Sequence, residues 1–247
     1  MCTVSYLPLS SGGFVLTSNR DEAPARSPLR ISRSVTDGTA LLFPKDMTAG
    51  GTWVAAASSG RVAVLLNGAF ERHTRQPPYR RSRGLMVIDL FGYDSVPQFL
   101  ASYQFEGIEP FTLVVVEADQ PKEIRWDGRR VHACFLPARS PHFWSSVTLY
   151  PEPVAQFRRQ WFDQWLSHNP DPSAADILGL HRYGGSQDPR NGFVMNRDDV
   201  VRTVSITQVL KQARSVEMHY HDLLRQVQTS GQLSIQARYP LPEPAQG

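Results

Sequence analysis

Strand-forming runs in this chain come in neighbouring pairs, joined by turns too short for a crossover helix. Thr3 to Leu7 and Phe14 to Ser18 are short β-branched and aromatic runs separated by Pro8, Leu9, Ser10, Ser11, Gly12 and Gly13, which is turn material. Thr52 to Ala57 and Arg61 to Asn67 repeat the pattern around Ser58, Ser59 and Gly60. Phe111 to Ala118, Glu123 to Asp127 and Arg129 to Phe135 form a third group, with Asp127 and Gly128 as a tight turn. Val201 to Leu210 and Ser215 to His221 close the series. Antiparallel pairs need only such turns, whereas parallel strands need crossovers. The chain is therefore expected to be α+β, built on antiparallel sheets and not on a doubly wound parallel one.

Helical periodicity fills the gaps between these groups. Ser82 to Tyr93 and Ser95 to Tyr103 carry apolar faces, and Gly92 marks a stop. Pro153 to Leu166 is amphipathic, with Val154, Phe157, Trp161, Phe162 and Trp165 expected on its buried side. Ser173 is placed to cap a shorter helix running to His181. Ala23 to Asp46 reads as a long loop with a short strand at Ala40 to Phe43, and Gly184 to Asp199 as polar loop. A chain of 247 residues with 41% hydrophobic content can bury one full core, so residues 1–239 are expected as one domain and 240–247 as a loosely held Pro-rich tail.

Composition narrows the function classes. The formal charge of +3 is small and interspersed, which argues against nucleic-acid binding. Two cysteines, Cys2 and Cys134, are too few for a disulfide framework and lack metal-ligand spacing. No apolar run reaches the roughly 18 residues of a membrane span, and no basic segment leads into an apolar one at the start. A soluble, cytoplasmic protein is expected. Cys134, inside a strand, reads as a small buried hydrophobe. His219 and His221 alternate on one strand, but no third ligand accompanies them, so no metal and no cofactor is expected.

Chemistry points to the N-terminus. Removal of Met1 would leave the thiol of Cys2 and a free α-amine on one residue, nucleophile and base together. If Leu7 lies opposite Phe14, Cys2 falls opposite Asn19, at about 5 Å between Cβ atoms, with Arg20 and Asp21 adjacent. A thiol titrates near about 8.5 and an α-amine near about 7.8, so a neighbouring cation such as Arg20 makes thiolate available. Asp21 would orient that cation or the ammonium. The plainer reading is an accidental second residue beside a solvated strand end.

Met1-Cys2, the tetrapeptide Asn19-Arg20-Asp21-Glu22, the turn Gly50-Gly51-Thr52-Trp53 and the strand Val62 to Asn67 occur in that order. Together they resemble the NRDE family, also called the transport and Golgi organization protein 2 family. That family is in turn similar to N-terminal-nucleophile hydrolases of the penicillin V acylase and bile salt hydrolase kind. The resemblance implies a four-layer αββα sandwich and linear-amide hydrolysis through an acyl-enzyme. It makes Cys2 the nucleophile, Arg20 and Asp21 its positioning groups, Asn67 an oxyanion donor and Arg202, at the head of a late strand with Thr203, a supporting arginine. Asn19 would border the substrate; Trp53 would wall the pocket or, as an aromatic in a strand after a Gly turn, belong to the core. Where the acylases often place a second asparagine this chain has Trp144, Ser145, Ser146 and Val147, leaving Ser145 and Ser146 as the nearest polar side chains. Asn67 can also be read as the residue that opens the turn into Gly68. The family's eukaryotic members imply a rival, a non-catalytic carrier of haem or acyl-lipid metabolites on the same fold.

One further cluster stands out. Arg72, Arg75, Arg80, Arg81 and Arg83, with His73 among them, form the densest basic stretch. It suits an anionic small-molecule partner, or else is a solvated loop. The partner expected is a small molecule; composition leaves the oligomeric state open.

Overall fold

The computed structural model describes residues 2–28 and 30–235, Cys2 by its backbone alone. The tail expected at 240–247 lies outside the described residues. Fourteen strands, β1 (Cys2–Pro8), β2 (Phe14–Glu22), β3 (Ile31–Thr36), β4 (Thr39–Pro44), β5 (Val54–Ala57), β6 (Val62–Asn67), β7 (Phe111–Glu117), β8 (Gln120–Trp126), β9 (Val131–Phe135), β10 (His142–Ser145), β11 (Asn196–Arg197), β12 (Val201–Lys211), β13 (Ser215–Asp222) and β14 (Val227–Ser234), form two sheets. The first runs β10-β1-β2-β12-β13-β14, with β11 on β12; the second runs β3 to β9 in sequence order. Every ladder in both is antiparallel.

Helices cover the outer faces. α1 (Arg83–Asp89) and α2 (Val96–Ser102) share a core with the second sheet, and α3 (Glu152–His168) and α4 (Ala174–Tyr183) pack on the first. The larger core holds Val4, Tyr6, Leu16 and Val209 of the first sheet with Leu42, Val54 and Val64 of the second, and it extends to Met86 and Phe99 of the helices. The smaller core joins Leu7 and Val15 to Phe162, Ile177 and Leu180. This is the αββα layering that the family resemblance implies. Alternation along β1 and β2 divides them cleanly: even positions of β1 face the other sheet, and odd ones face α3 and α4.

Ser82 and Ser95 cap α1 and α2 by accepting from the N–H groups of Leu85 and Gln98, each at 3.2 Å. A capping box of Ser173 and Asp176 starts α4, which runs to Tyr183, two residues past the expected end.

Five sequence expectations need correcting. The β1–β2 hairpin pairs Pro8 with Phe14 and Leu7 with Val15, so Cys2 lies opposite Arg20 and Thr3 opposite Asn19. A loop running from Leu9 to Gly13, closed by Leu9 N–H to Gly13 O at 3.1 Å, sets that register. The stretch read as loop before Ala40 contains β3, joined to β4 through Asp37 and Gly38, both at positive φ, the conformation a two-residue hairpin turn requires. β10, β11 and β14 also escape the sequence reading: β10 and β11 are very short, β11 lying inside the expected loop Gly184 to Asp199, and β14 is an exposed edge strand. On α3, Phe157 is 58% exposed and Arg158 is buried in its stead. Cys134 is exposed, because β9 is the edge of its sheet. No helix among the described residues is long and apolar enough to cross a membrane.

Candidate active site

Residues 19–22 lie at the end of β2, where alternation sends Arg20 between the sheets and Asn19 and Asp21 towards the helices. Arg20 is 3% exposed. Its Nη2 donates to Asp46 Oδ2 at 2.5 Å and its Nη1 to the Arg26 carbonyl at 2.8 Å. The guanidinium carbon stands 4.1 Å from the centroid of the Trp53 ring, a cation–π stack. Arg26 in turn binds Asp46 at 2.7 Å and Glu22 at 2.8 Å. Burial alone would raise the Asp46 carboxyl, but the Ala49 N–H, Arg20, Arg26 and the Thr48 N–H together hold it below the usual range. Two guanidinium groups are thereby fixed around one ionised carboxylate.

These residues line an inner cavity of about 350 Å³ with Trp53, Leu65 and Asn67. Asn67 ends β6 just before Gly68, whose φ is +82° and where a Cβ would lie 2.5 Å from Val147 Cγ2. Only glycine permits that turn. The Asn67 carbonyl accepts from Ser146 Oγ at 2.9 Å, while its side-chain amide has no hydrogen-bond partner among the described residues. The Trp53 indole N–H, on a residue 5% exposed, also lacks one there.

The other face of β2 carries a closed polar network. Asp21 accepts from Tyr150 OH and Thr203 Oγ1, each at 2.7 Å. Burial pushes its carboxyl up, against the opposing charge of Arg158 and those two hydroxyls. Arg158 reaches in from α3, wholly buried, and donates to Thr3 Oγ1, to Ser145 Oγ at 3.2 Å and to the Asn191 and Gly192 carbonyls. Its guanidinium carbon lies 3.9 Å from the Tyr150 ring centroid. Nothing in the sequence marks Arg158 as functional; the available signal is its position four residues before Phe162, on the same helix face.

Asn19 belongs to this network and not to the cavity. Its amide nitrogen donates to the His181 and Phe193 carbonyls at 2.9 and 2.7 Å, which leaves its oxygen to accept from His181 Nδ1. His181 Nε2 then accepts from Ser5 Oγ at 2.7 Å. Hydroxyl, imidazole and amide are in the order of a nucleophilic triad, but all three residues are 0% exposed, so no substrate reaches Ser5. Burial, with the Arg158 charge, drops His181 from 6.5 to about 3.

That shift has a measurable consequence. An unfolded chain takes up the His181 proton near pH 6.5 and the folded one near pH 3. Stability is thus lost as pH falls through that window, by about 1.4 kcal/mol per pH unit for one such proton. His221, lowered to about 4 by burial and Arg182, adds to the slope. Urea midpoints measured from pH 7 to pH 4 are expected to fall steeply for the unaltered protein and less steeply for His181→Gln. Equal slopes would refute this assignment.

The remaining expected residues scatter. Arg202 sits at the head of β12 opposite Glu22, its side chain 38% exposed and 3.4 Å from Asp199, and it does not line the cavity of Arg20 and Asn67. Thr203, next to it, is the one that reaches Asp21. Ser145 points to Arg158, and Ser146 is taken up by the Asn67 carbonyl. His219 neighbours Glu217 and His221 neighbours Arg182; no cluster of three metal-ligating side chains occurs among the described residues.

The family model for Transport and Golgi organisation 2 matches residues 1–185. No curated protein matches the chain. Among solved structures it is similar to the Caenorhabditis elegans ortholog of N-acylethanolamine-hydrolyzing acid amidase, at 12% identity over 85% of this chain and 92% of that one, with a TM-score of 0.58. A cysteine-to-alanine mutant of the Clostridium perfringens conjugated bile acid hydrolase gives 9% identity over 93% and 92%, with a TM-score of 0.58. An arginine-to-leucine variant of that hydrolase gives 8% over the full length of both chains, with a TM-score of 0.55. These likenesses establish a shared fold.

Proposed function

The chain belongs to the Transport and Golgi organisation 2 family, and from that footing we propose that it is an N-terminal-nucleophile hydrolase cleaving linear amide C–N bonds through an acyl-enzyme on Cys2. The observation that carries this reading is the register of the first hairpin, which pairs position 2 with Arg20 at the wall of a cavity that Asn67 also lines. A guanidinium held there favours thiolate.

With Met1 removed, the sulfur attacks the substrate carbonyl carbon while the thiol proton passes to the α-amine of Cys2. The carbonyl oxygen becomes an oxyanion and accepts from the free side-chain amide of Asn67. Collapse breaks the C–N bond as the α-ammonium returns its proton to the leaving amine. Water then adds to the thioester, giving its proton to the α-amine, and departure of the acid restores the thiol. Asp21, on the opposite face of β2, supports the strand from below through Thr203 and Tyr150. Arg202 has no part in this scheme.

A second reading is favoured by the two serines. Ser145 and Ser146 stand where the acylases often place another amide donor, and both are committed elsewhere. A carrier of haem or acyl-lipid metabolites needs no such donor. Intact-mass analysis after incubation with a panel of acyl amides separates the readings. Hydrolase action is expected to give an acyl adduct on the unaltered protein and none on Cys2→Ala. Equal binding to both proteins without a mass change would sink the hydrolase and leave the carrier.

A further inference from the structure

Beside the inner cavity lies an outer one of about 710 Å³, sharing Glu22, Arg26, Asn67, Arg75, Arg83 and Glu109 with it. Its chemistry centres on Glu109, which is 8% exposed. Three groups converge on that one carboxylate: His73 Nε2 at 3.1 Å, Arg75 Nε at 3.3 Å and Arg83 Nη2 at 3.0 Å. Arg83 is itself mostly buried, its side chain 14% exposed, and donates to the Pro110 carbonyl at 3.0 Å. Desolvation lowers its pKa, against the opposing charge of Glu109. Arg72 lines the same cavity and has no ion-pair partner among the described residues.

The charges do not balance. Arg20 and Arg26 are matched by Asp46 and Glu22, but among the described residues Arg72, Arg75 and Arg83 have one direct ion-pair partner between them, Glu109. Arg75 is 72% exposed and holds that carboxylate through a single contact, so its remaining N–H groups are open to another acceptor. A guanidinium fork recognises carboxylate and phosphate alike.

We propose that the outer cavity is a recognition subsite for an anionic group of the ligand, a carboxylate or a phosphate, seated on Arg72 and Arg75 with Arg83 behind them, and that Glu109 acts as an internal competitor setting its affinity. The inference rests on the hydrolase reading only in placing the bound molecule near Cys2; binding itself requires no turnover. Glu109 holds the arginines in place and occupies them in part, so a ligand anion gains less than the three cations alone would give.

The test uses Cys2→Ala protein, which cannot form the adduct, and three matched probes: N-hexanoyl-4-aminobutyrate, N-hexanoyl-3-aminopropyl phosphate and the neutral N-hexanoyl-3-aminopropanol. Calorimetry at low salt is expected to show at least one anionic probe bound about tenfold tighter than the neutral one, with the preference shrinking as salt screens it. The carboxylate and phosphate arms identify which anion is preferred. Arg72→Gln and Arg75→Gln, both at exposed positions that leave the fold intact, are each expected to reduce the preference severalfold. Glu109→Gln is expected to increase it. Equal affinity for the neutral and anionic probes, or a preference untouched by both arginine changes, overturns the subsite; a preference that Glu109→Gln weakens overturns the competitor role. Hydrolysis of the same probes by the unaltered protein is scored separately. Turnover without anion preference sinks this inference and spares the hydrolase, whereas anion preference without turnover does the reverse.

Discussion

Replacing Arg158 with methionine is expected to destabilise the protein by about 3–5 kcal/mol, the scale for leaving a buried charge uncompensated, although Arg158 acts on Asp21 through its field and not through a direct ion pair. Arg158 and Asp21 are both wholly buried, and the Arg158 charge is the largest influence opposing the desolvation of Asp21. Methionine fills much of the space but leaves a carboxylate facing two hydroxyls and no charge. It also strips donors from Thr3, Ser145 and the Asn191 and Gly192 carbonyls, of which the Thr3 and Gly192 acceptors are buried and costly to leave unpaired. Urea unfolding of the single variants and of Arg158→Met with Asp21→Asn checks the cause. The double variant is expected to be less destabilised than the sum of the two single ones, since the second change removes the stranded charge. Strict additivity would mean that the two groups do not interact.

Asn67→Ala is expected to lower kcat on a linear acyl amide by about 10²–10³ with a smaller effect on KM, the scale for loss of one oxyanion donor. The same change is expected to leave thermal stability almost untouched. The Asn67 side-chain amide has no partner within the described residues, and the contact that anchors the turn, Ser146 Oγ to the Asn67 carbonyl, uses backbone. This separation makes the experiment informative. If Asn67 serves only to open the turn into Gly68, kcat stays near its original value, and any loss appears in stability. A matching fall in both would assign Asn67 to the fold and take it out of the chemistry.

How far the chain could be read without coordinates differs from element to element. Hairpins are local, and turn residues with flanking β-branched runs announced β1 with β2, β5 with β6 and β12 with β13. The Asp37-Gly38 turn was equally visible, yet Ile31–Thr36 alternates serine and arginine with its apolar residues and so carries little strand signal. β14 is an edge strand whose side chains are mostly exposed, and Val227 and Leu233 are too far apart to mark it as an apolar run. The aromatic stripe on α3 was real, but its phase was off by one residue: Trp161 and Phe162 invite two alternative faces, and the buried one contains Arg158.

The tetrapeptide 19–22 shows the limit most clearly. Its four residues were read as one constellation, whereas a strand sends alternate side chains to opposite faces. Arg20 and Glu22 reach the cavity with Trp53 and Arg26; Asn19 and Asp21 enter the closed network with His181, Tyr150 and Arg158. Shifting the assumed pairing by one residue exchanged Asn19 for Arg20 opposite Cys2, the expected effect of a one-step slip in a period of two.

Sequence alone determined the antiparallel α+β character, the family and the pairing of the N-terminal segment with the strand that carries Arg20, because each depends on neighbours close along the chain or on a motif in fixed order. Tertiary structure alone decided which side of the sheet each polar residue occupies and which arginines are buried. Arg158 rather than Arg202 answers Asp21, since a charge is tolerated inside only where distant segments bring it acceptors and a counter-charge, and residues 3, 21, 145, 191 and 192 meet nowhere except in the folded chain.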